Sequence, residues 1–169
     1  MTLAIRPGDR ADVPAVLELL DGATAWLVAR GRTDQWGTEP HSTNPLRVEQ
    51  ITGFAESGGL WIGELDGRTA GVLSVGEHMP YVPAVDEPEL YVRLLVTDRA
   101  KAGRGVGADL LEHAQSLARA QGLRLLRVDC FAGGDGALVR YYEKQGFTRA
   151  ETFTVGDAEW PGQILHMRL

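Results

Sequence analysis

The stretch from Leu90 to Phe131 constrains this chain more than any other. Leu90 to Val96 is an apolar run broken only by Arg93, as expected of a central strand covered on both faces. Val106, Leu110, Ala114, Leu117 and Ala118 then recur at helical spacing as far as Gly122, and Leu123 to Phe131 is a second strand of the buried kind. Strand, helix and strand at this spacing form a parallel crossover unit, which is right-handed in nearly all known cases.

The flanking segments predict different geometry. Leu3, Ile5 and Pro7 before Gly8 make a short strand. Asp9 or Asp12 can cap a helix whose stripe is Val13, Val16, Leu17, Leu20, Thr24, Leu27 and Val28; Gly31 closes it, and Gly22 is a point where it could break in two. Arg32 to Asn44 is a polar loop. Ser42, Thr43 and Asn44 are possible caps for a second helix that begins at Pro45 and ends by Gly58-Gly59. Leu60 to Leu65 and Thr69 to Val75 are joined by Asp66-Gly67, the dipeptide that suits a type I′ hairpin turn. Glu77 to Pro88, with three prolines, is an irregular connection. Leu138, Tyr141, Tyr142 and Gln145 mark a last helix stopped by Gly146, followed by strands near Phe147 to Val155 and Gln163 to Leu169. The expected class is α/β (α+β): one domain over residues 1–169, with a sheet antiparallel at its start and one parallel pair in the middle.

At 169 residues and 44% hydrophobic, the chain can bury a core without staples. The single Cys130 excludes an internal disulfide and a cysteine-based zinc cluster, so no metal is expected and a reducing cytoplasm is the default. Met1 to Pro14 is too charged for a secretory segment, and no run approaches the roughly 20 apolar residues of a membrane span. With 23 acidic against 17 basic residues the net charge is -6, which disfavours nucleic acid and mildly favours a cationic small molecule. A monomer and a homodimer are both compatible with these features.

Between the central strand and its helix lies Ala102-Gly103-Arg104-Gly105-Val106-Gly107-Ala108. Three glycines within five residues leave the backbone clear for an anion, and the helix start adds outward amides and the positive end of its dipole. Lys101 and Arg104 contribute full charges. The loop therefore reads as a pyrophosphate cradle, although such glycines can also serve only a tight turn. Gly103-x-Gly105-x-x-Ala108 also satisfies the dinucleotide fingerprint, with Asp129 near the end of the next strand as a ribose-binding acid, so a Rossmann-type nicotinamide or flavin oxidoreductase is a rival. Against it, Thr97 to Ala102 separate the glycines from the strand and about 90 residues come first, whereas that fingerprint follows its strand directly. The P-loop pattern fails, because no Lys-Ser or Lys-Thr follows.

Leu90-Tyr91-Val92-Arg93-Leu94-Leu95-Val96, the run Gly103 to Ala108 with Leu110-Leu111, and Tyr142-Glu143-Lys144-Gln145-Gly146-Phe147 together resemble the GCN5-related N-acetyltransferase (GNAT) superfamily. The resemblance implies an acetyl-CoA-dependent transfer of an acetyl group to a primary amine of a small molecule or peptide, by direct attack in a ternary complex. It implies that the strand Leu90 to Val96 splays from Leu123 to Phe131, with pantetheine bonded to main-chain groups of Leu94, Leu95 and Val96. Lys101, Gly103, Arg104, Gly105, Val106, Gly107 and Ala108 would bind pyrophosphate, and Tyr142 would protonate the departing thiolate. An aromatic core residue one helical turn from Leu138 is the other reading of Tyr142. Two departures stand out: Ala102 occupies a place where the family has Gln or Arg, and Asp135, which the resemblance counts among the cofactor-binding residues, falls near the place of an Asn that precedes the last helix.

A primary ammonium with a pKa near 10.4 must lose its proton before it attacks, at a cost of about 4.6 kcal/mol at pH 7, so a base or water chain is expected. Glu89 is the candidate by position, with Glu87 behind it; a solvated strand-end carboxylate is the alternative. The family's acceptor site draws on the first helices, their loop and the segment before the central strand, which here hold Trp26, Asp34, Gln35, Trp36, His78 and Tyr81. Trp36 is the most suggestive of these, since Trp26 and Tyr81 also suit packing and His78 a structural role. A non-catalytic acyl-CoA sensor is a third reading, against which the presence of Tyr142 argues.

Overall fold

A computed structural model describes residues 2–169. Seven strands, β1 (Ala4–Pro7), β2 (Leu60–Leu65), β3 (Arg68–Gly76), β4 (Leu90–Thr97), β5 (Leu125–Phe131), β6 (Thr148–Val155) and β7 (Trp160–Arg168), lie in one sheet in the order β1-β2-β3-β4-β5-β7-β6. Four helices accompany them: α1 (Val13–Ala29), α2 (Pro45–Glu56), α3 (Val106–Ala120) and α4 (Ala137–Lys144). The sheet is mostly antiparallel with one parallel pair, β4 and β5. That arrangement overturns the dinucleotide-fold alternative, which requires a doubly wound sheet of adjacent parallel strands.

The chain forms two compact units. The first runs through Val75 and resumes over Leu94–Glu112. In it, β1 and β2 pair antiparallel from Ala4↔Glu64 to Pro7↔Trp61, and β2 and β3 form the expected hairpin. Asp66 (φ 54°) and Gly67 (φ 73°) are both left-handed, as a type I′ turn demands. Asp9 makes a capping box with Asp12 on a short 3-10 turn, and α1 follows without the break considered at Gly22. A Cβ at Gly22 would meet nothing, so only its weak helix propensity counted against continuity, and the buried stripe Val13, Val16, Leu17, Leu20 and Leu27 outweighs roughly 1 kcal/mol. Asn44 caps α2 through its side chain, with Pro45 at the first helical position.

The second unit comprises Gly76–Arg93 and His113–Leu169. Here β4 and β5 pair in parallel over Leu90↔Leu126, Tyr91↔Arg127 and Val92↔Val128. On its other edge β5 runs antiparallel to β7 from Leu125↔Arg168 to Phe131↔Gly162. β7 starts at Trp160, three residues before the position expected from sequence. Pro161 is tolerated inside it because its carbonyl accepts the Ala132 N–H while no N–H is required of it. Gly146 (φ 100°) stops α4 as expected, and Leu126, Ile164 and Leu165 are fully buried between the strands' flanking layers.

Candidate active site

The glycine loop belongs to the first unit. Asp98 accepts the Ala100 N–H and holds a 3-10 turn over Arg99–Lys101, after which Gly103 (φ 83°) and Gly105 (φ 73°) are both left-handed. Only glycine adopts such conformations freely, which accounts for two of the three glycines. A Cβ at either would meet nothing within 4 Å, so the backbone there faces open space. The first helical bond of α3 runs from Asp109 N–H to the Gly105 carbonyl at 3.0 Å. The amides of Val106, Gly107 and Ala108 therefore precede the helix's own acceptors, as at any helix start. Arg104 is exposed and Lys101 half-buried beside them.

Trp26, expected to face the acceptor, carries two guanidinium groups, those of Arg30 and Arg99, each 3.9 Å from the ring centroid. Its visible work is to hold the turn that leads into the glycine loop. Trp36 meets the His41 ring edge-on at 5.5 Å. His41 is buried, with Nε2 2.7 Å from Thr24 Oγ1 and its amide bound to Asp21 Oδ1, and Asp21 also accepts from Ser42. This anchor of the loop between α1 and α2 was not recognised in the sequence, since it joins residues 17 and 20 apart. Gln35 lies in the turn before Trp36, and Asp34 precedes it.

In the second unit, Tyr142 is buried on α4, edge-on to Tyr141 at 5.4 Å and to Phe147 at 5.8 Å. Burial pushes its phenol well above 10, with Cys130, Tyr141 and Asp129 adding to the shift. Tyr142 thus holds its proton at every working pH. Cys130 is buried too and its thiol is pushed up to about 12, first by burial and then by Asp129, so it is an inert thiol. Asp135 precedes Gly136, the N-cap of α4: its Oδ1 accepts the Ala137 N–H at 3.0 Å, and its carbonyl accepts from Arg140.

Glu89 is not a solvated carboxylate. Both its oxygens accept from Arg127, Oε2 from Nε at 2.5 Å and Oε1 from Nη2 at 2.8 Å, and the two side chains are 9% and 3% exposed. Arg127 also donates to the Pro83 carbonyl, tying the irregular connection to β5. Glu87 pairs with Arg168. His78 keeps Nδ1 against the Met79 carbonyl at 2.9 Å.

The carboxylate that sequence reading placed elsewhere is Asp129. Its Oδ2 accepts a 2.6 Å bond from the buried Tyr91 hydroxyl, and its Oδ1 a long 3.4 Å bond from Tyr81. Burial raises its pKa, against the pull of those two hydroxyls and of Arg127. Tyr81 is 43% exposed rather than packed in a core, and its ring stacks on Phe153. Strand alternation alone could have put Asp129 and Tyr91 on one face, but not their distance of 38 residues in sequence.

A mostly antiparallel sheet with one parallel pair, and a left-handed glycine loop opening the helix between the paired strands, define an N-acetyltransferase fold. Residues 23–147 match the Acetyltransferase (GNAT) family, and the chain belongs to it. The chain is similar to the uncharacterized N-acetyltransferase YesJ of Bacillus subtilis, 26% identical over 147 residues that cover 83% of this chain and 79% of that one. It is similar to the crystal structure of a candidate phosphinothricin N-acetyltransferase at 28% identity, with a TM-score of 0.73 and 99% of each chain covered. YncA from Salmonella typhimurium, a candidate acetyltransferase solved with its cofactor acetyl-CoA, shares the fold at 19% identity and a TM-score of 0.68, over 100% of this chain and 95% of that one. The protein is an enzyme, an N-acetyltransferase of the GNAT type.

Proposed function

We propose that this enzyme transfers the acetyl group of acetyl-CoA to a primary amine of a small molecule or peptide, by direct attack with both substrates bound. The observation that carries this reading is the loop at Gly103 and Gly105, left-handed and open at the start of α3, a cradle that any Cβ would begin to fill. Gly103, Arg104, Gly105, Val106, Gly107 and Ala108, with Lys101, would hold the pyrophosphate, and Leu94, Leu95 and Val96 the pantetheine through main-chain groups. Bound there, acetyl-CoA would supply an acyl thioester. No metal is needed for this chemistry, and we place the enzyme in the cytoplasm, as a monomer or homodimer with neither nucleic acid nor membrane as partner.

The chain's own groups divide the proton work. Tyr142 keeps its hydroxyl proton through the working range and offers it as a hydrogen bond to the leaving sulfur. Glu89, with both oxygens on Arg127, serves to hold Arg127, and Asp129 takes the proton of the acceptor's ammonium. Burial raises the affinity of Asp129 for a proton, and its Oδ1 accepts only a long bond from Tyr81 among the described residues. Calorimetric titration tests the reading: acetyl-CoA should bind and NAD should not. Binding of NAD without acetyl-CoA would overturn it, and acetyl-CoA binding without thiol release against a broad amine panel would favour a sensor.

A further inference from the structure

Four aromatic rings continue the surface that begins at Asp129. Tyr81 stacks on Phe153 at 5.5 Å, Phe153 lies 6.3 Å from Trp160, and Trp160 lies 5.5 Å from Phe131. Phe131 is two residues beyond Asp129 on β5, hence on the same face, and it pairs with Gly162, which in turn pairs with Phe153. A Cβ at Gly162 would run into the Phe153 ring, and one at Gly133 into the Phe131 ring. Both rings therefore lie flat against bare backbone. Phe131, Phe153 and Trp160 are half-buried and Tyr81 is exposed, so the four rings present one contiguous aromatic face to solvent.

The cations near this surface already face acidic partners. On the strands of this unit, Arg127 is held by Glu89 in a buried pair, with its unbonded Nη1 closed to solvent, and Arg149 and Arg168 make exposed pairs with Glu143 and Glu87. Among the described residues, Asp129 Oδ1 accepts only the long bond from Tyr81 and so retains acceptor capacity.

We propose that this aromatic shelf and Asp129 form the acceptor subsite, and that the acceptor is a primary amine carried on an aromatic body without a carboxylate. The ammonium meets Asp129 Oδ1, and the body lies across Tyr81, Phe153 and Trp160, where stacking and cation–π attraction add to burial. The proposal rests on the N-acetyltransferase reading and names its substrate class.

Binding to the protein without acetyl-CoA, followed by tryptophan fluorescence or calorimetry, tests it with three probes: phenethylamine, n-butylamine and phenylalanine. Phenethylamine should bind at least tenfold more tightly than either of the others. Phe153→Leu should collapse its advantage over butylamine, and Asp129→Asn its advantage over phenylalanine. Should Phe153→Leu fold poorly, Trp160→Leu replaces it. Equal binding of the three probes, or a preference that survives these variants, would overturn the proposal. A separate titration with acetyl-CoA keeps the two readings apart: failure there removes the acetyltransferase reading, while failure of the amine preference alone removes only the shelf.

Discussion

The glycine loop and the Asp129 cluster are built by opposite means. Gly103 and Gly105 take left-handed conformations that depend on their own backbones, and the loop around them faces open space. Asp129, Tyr91, Arg127 and Glu89 are instead set by one another: each is buried or half-buried, and each would be unsatisfied without a partner far away in sequence. A substitution in the loop should therefore change ligand affinity at modest cost to stability. In the cluster, stability and chemistry should move together.

The largest expected effect is at Glu89. Removing one partner of a buried ion pair leaves an uncompensated charge, which costs about 3 to 5 kcal/mol. Glu89→Ala should thus lower the unfolding free energy by that much, read as an earlier denaturant midpoint at unchanged slope, because Arg127 loses its partner and its hold on the Pro83 carbonyl. A stable Glu89→Ala protein with turnover abolished would instead return the role of base to Glu89.

Asp129 should break the rule that stability and chemistry fall together. Its pKa is raised in the folded state, so the stability it contributes is complete below the ordinary value of 3.8 and is lost as pH rises through the folded value. At pH 7 the buried carboxylate therefore contributes less to the fold than it does in acid. Asp129→Asn should raise the melting temperature at pH 7, since the amide oxygen can still accept from Tyr91, and the gain should vanish below pH 3.8. Turnover should fall by roughly 10² to 10⁴-fold, the usual worth of a general base. A variant less stable at pH 7, with full turnover, would show that Asp129 serves only to satisfy Tyr91.

How much of this was legible follows the same division. The Asp66-Gly67 hairpin, the Asn44-Pro45 helix start and the Gly103 loop are written in neighbouring residues, whose conformational limits act locally. Gly22 misled because a weak local preference was weighed without the buried stripe that overrides it. The start of β7 at Trp160 rests on pairings that sequence does not show, Trp160 with Val155 and the Pro161 carbonyl with the Ala132 N–H. Glu89 was read as the candidate base, or else as a solvated carboxylate, and Asp129 as a possible ribose ligand, because their partners, Arg127 and Tyr91, each lie 38 residues away. The contacts of Trp26, Trp36 and Tyr81 were equally out of reach of sequence: the first carries two arginines, the second meets His41, and the third stands exposed beside Asp129.

Tyr142 sharpens the account of the buried cluster. A phenol held well above 10 gives up its proton unwillingly to a thiolate whose ordinary value is about 8.5, so its part is that of a hydrogen-bond donor. Such a bond to a charged partner is worth about 1.5 to 3 kcal/mol. Tyr142→Phe should lower turnover roughly tenfold to hundredfold, with acetyl-CoA affinity nearly intact because the ring contacts with Tyr141 and Phe147 remain. The alkaline limb of the pH profile should be unchanged. Its disappearance in Tyr142→Phe would mean that the phenol does ionise in the working range.

The smallest expected effect lies in the loop and separates conformation from contact. Gly105→Val should weaken acetyl-CoA binding by about tenfold, but it carries two insults: a branched Cβ where phosphate would approach, and a φ of 73° that a β-branched residue resists. Gly105→Asn divides them, because asparagine tolerates the left-handed region and a Cβ there meets no protein atom within 4 Å. If the loop were only a turn, Asn would keep both stability and acetyl-CoA affinity, and Val would lose stability alone. If the loop is a cradle, Asn should keep the melting temperature close to that of the parent while still losing several-fold in acetyl-CoA affinity, since its Cβ stands in the ligand's place. Calorimetric affinities and melting temperatures for the three proteins decide between these outcomes. Affinity in Gly105→Asn equal to that of the parent would take the pyrophosphate away from this loop.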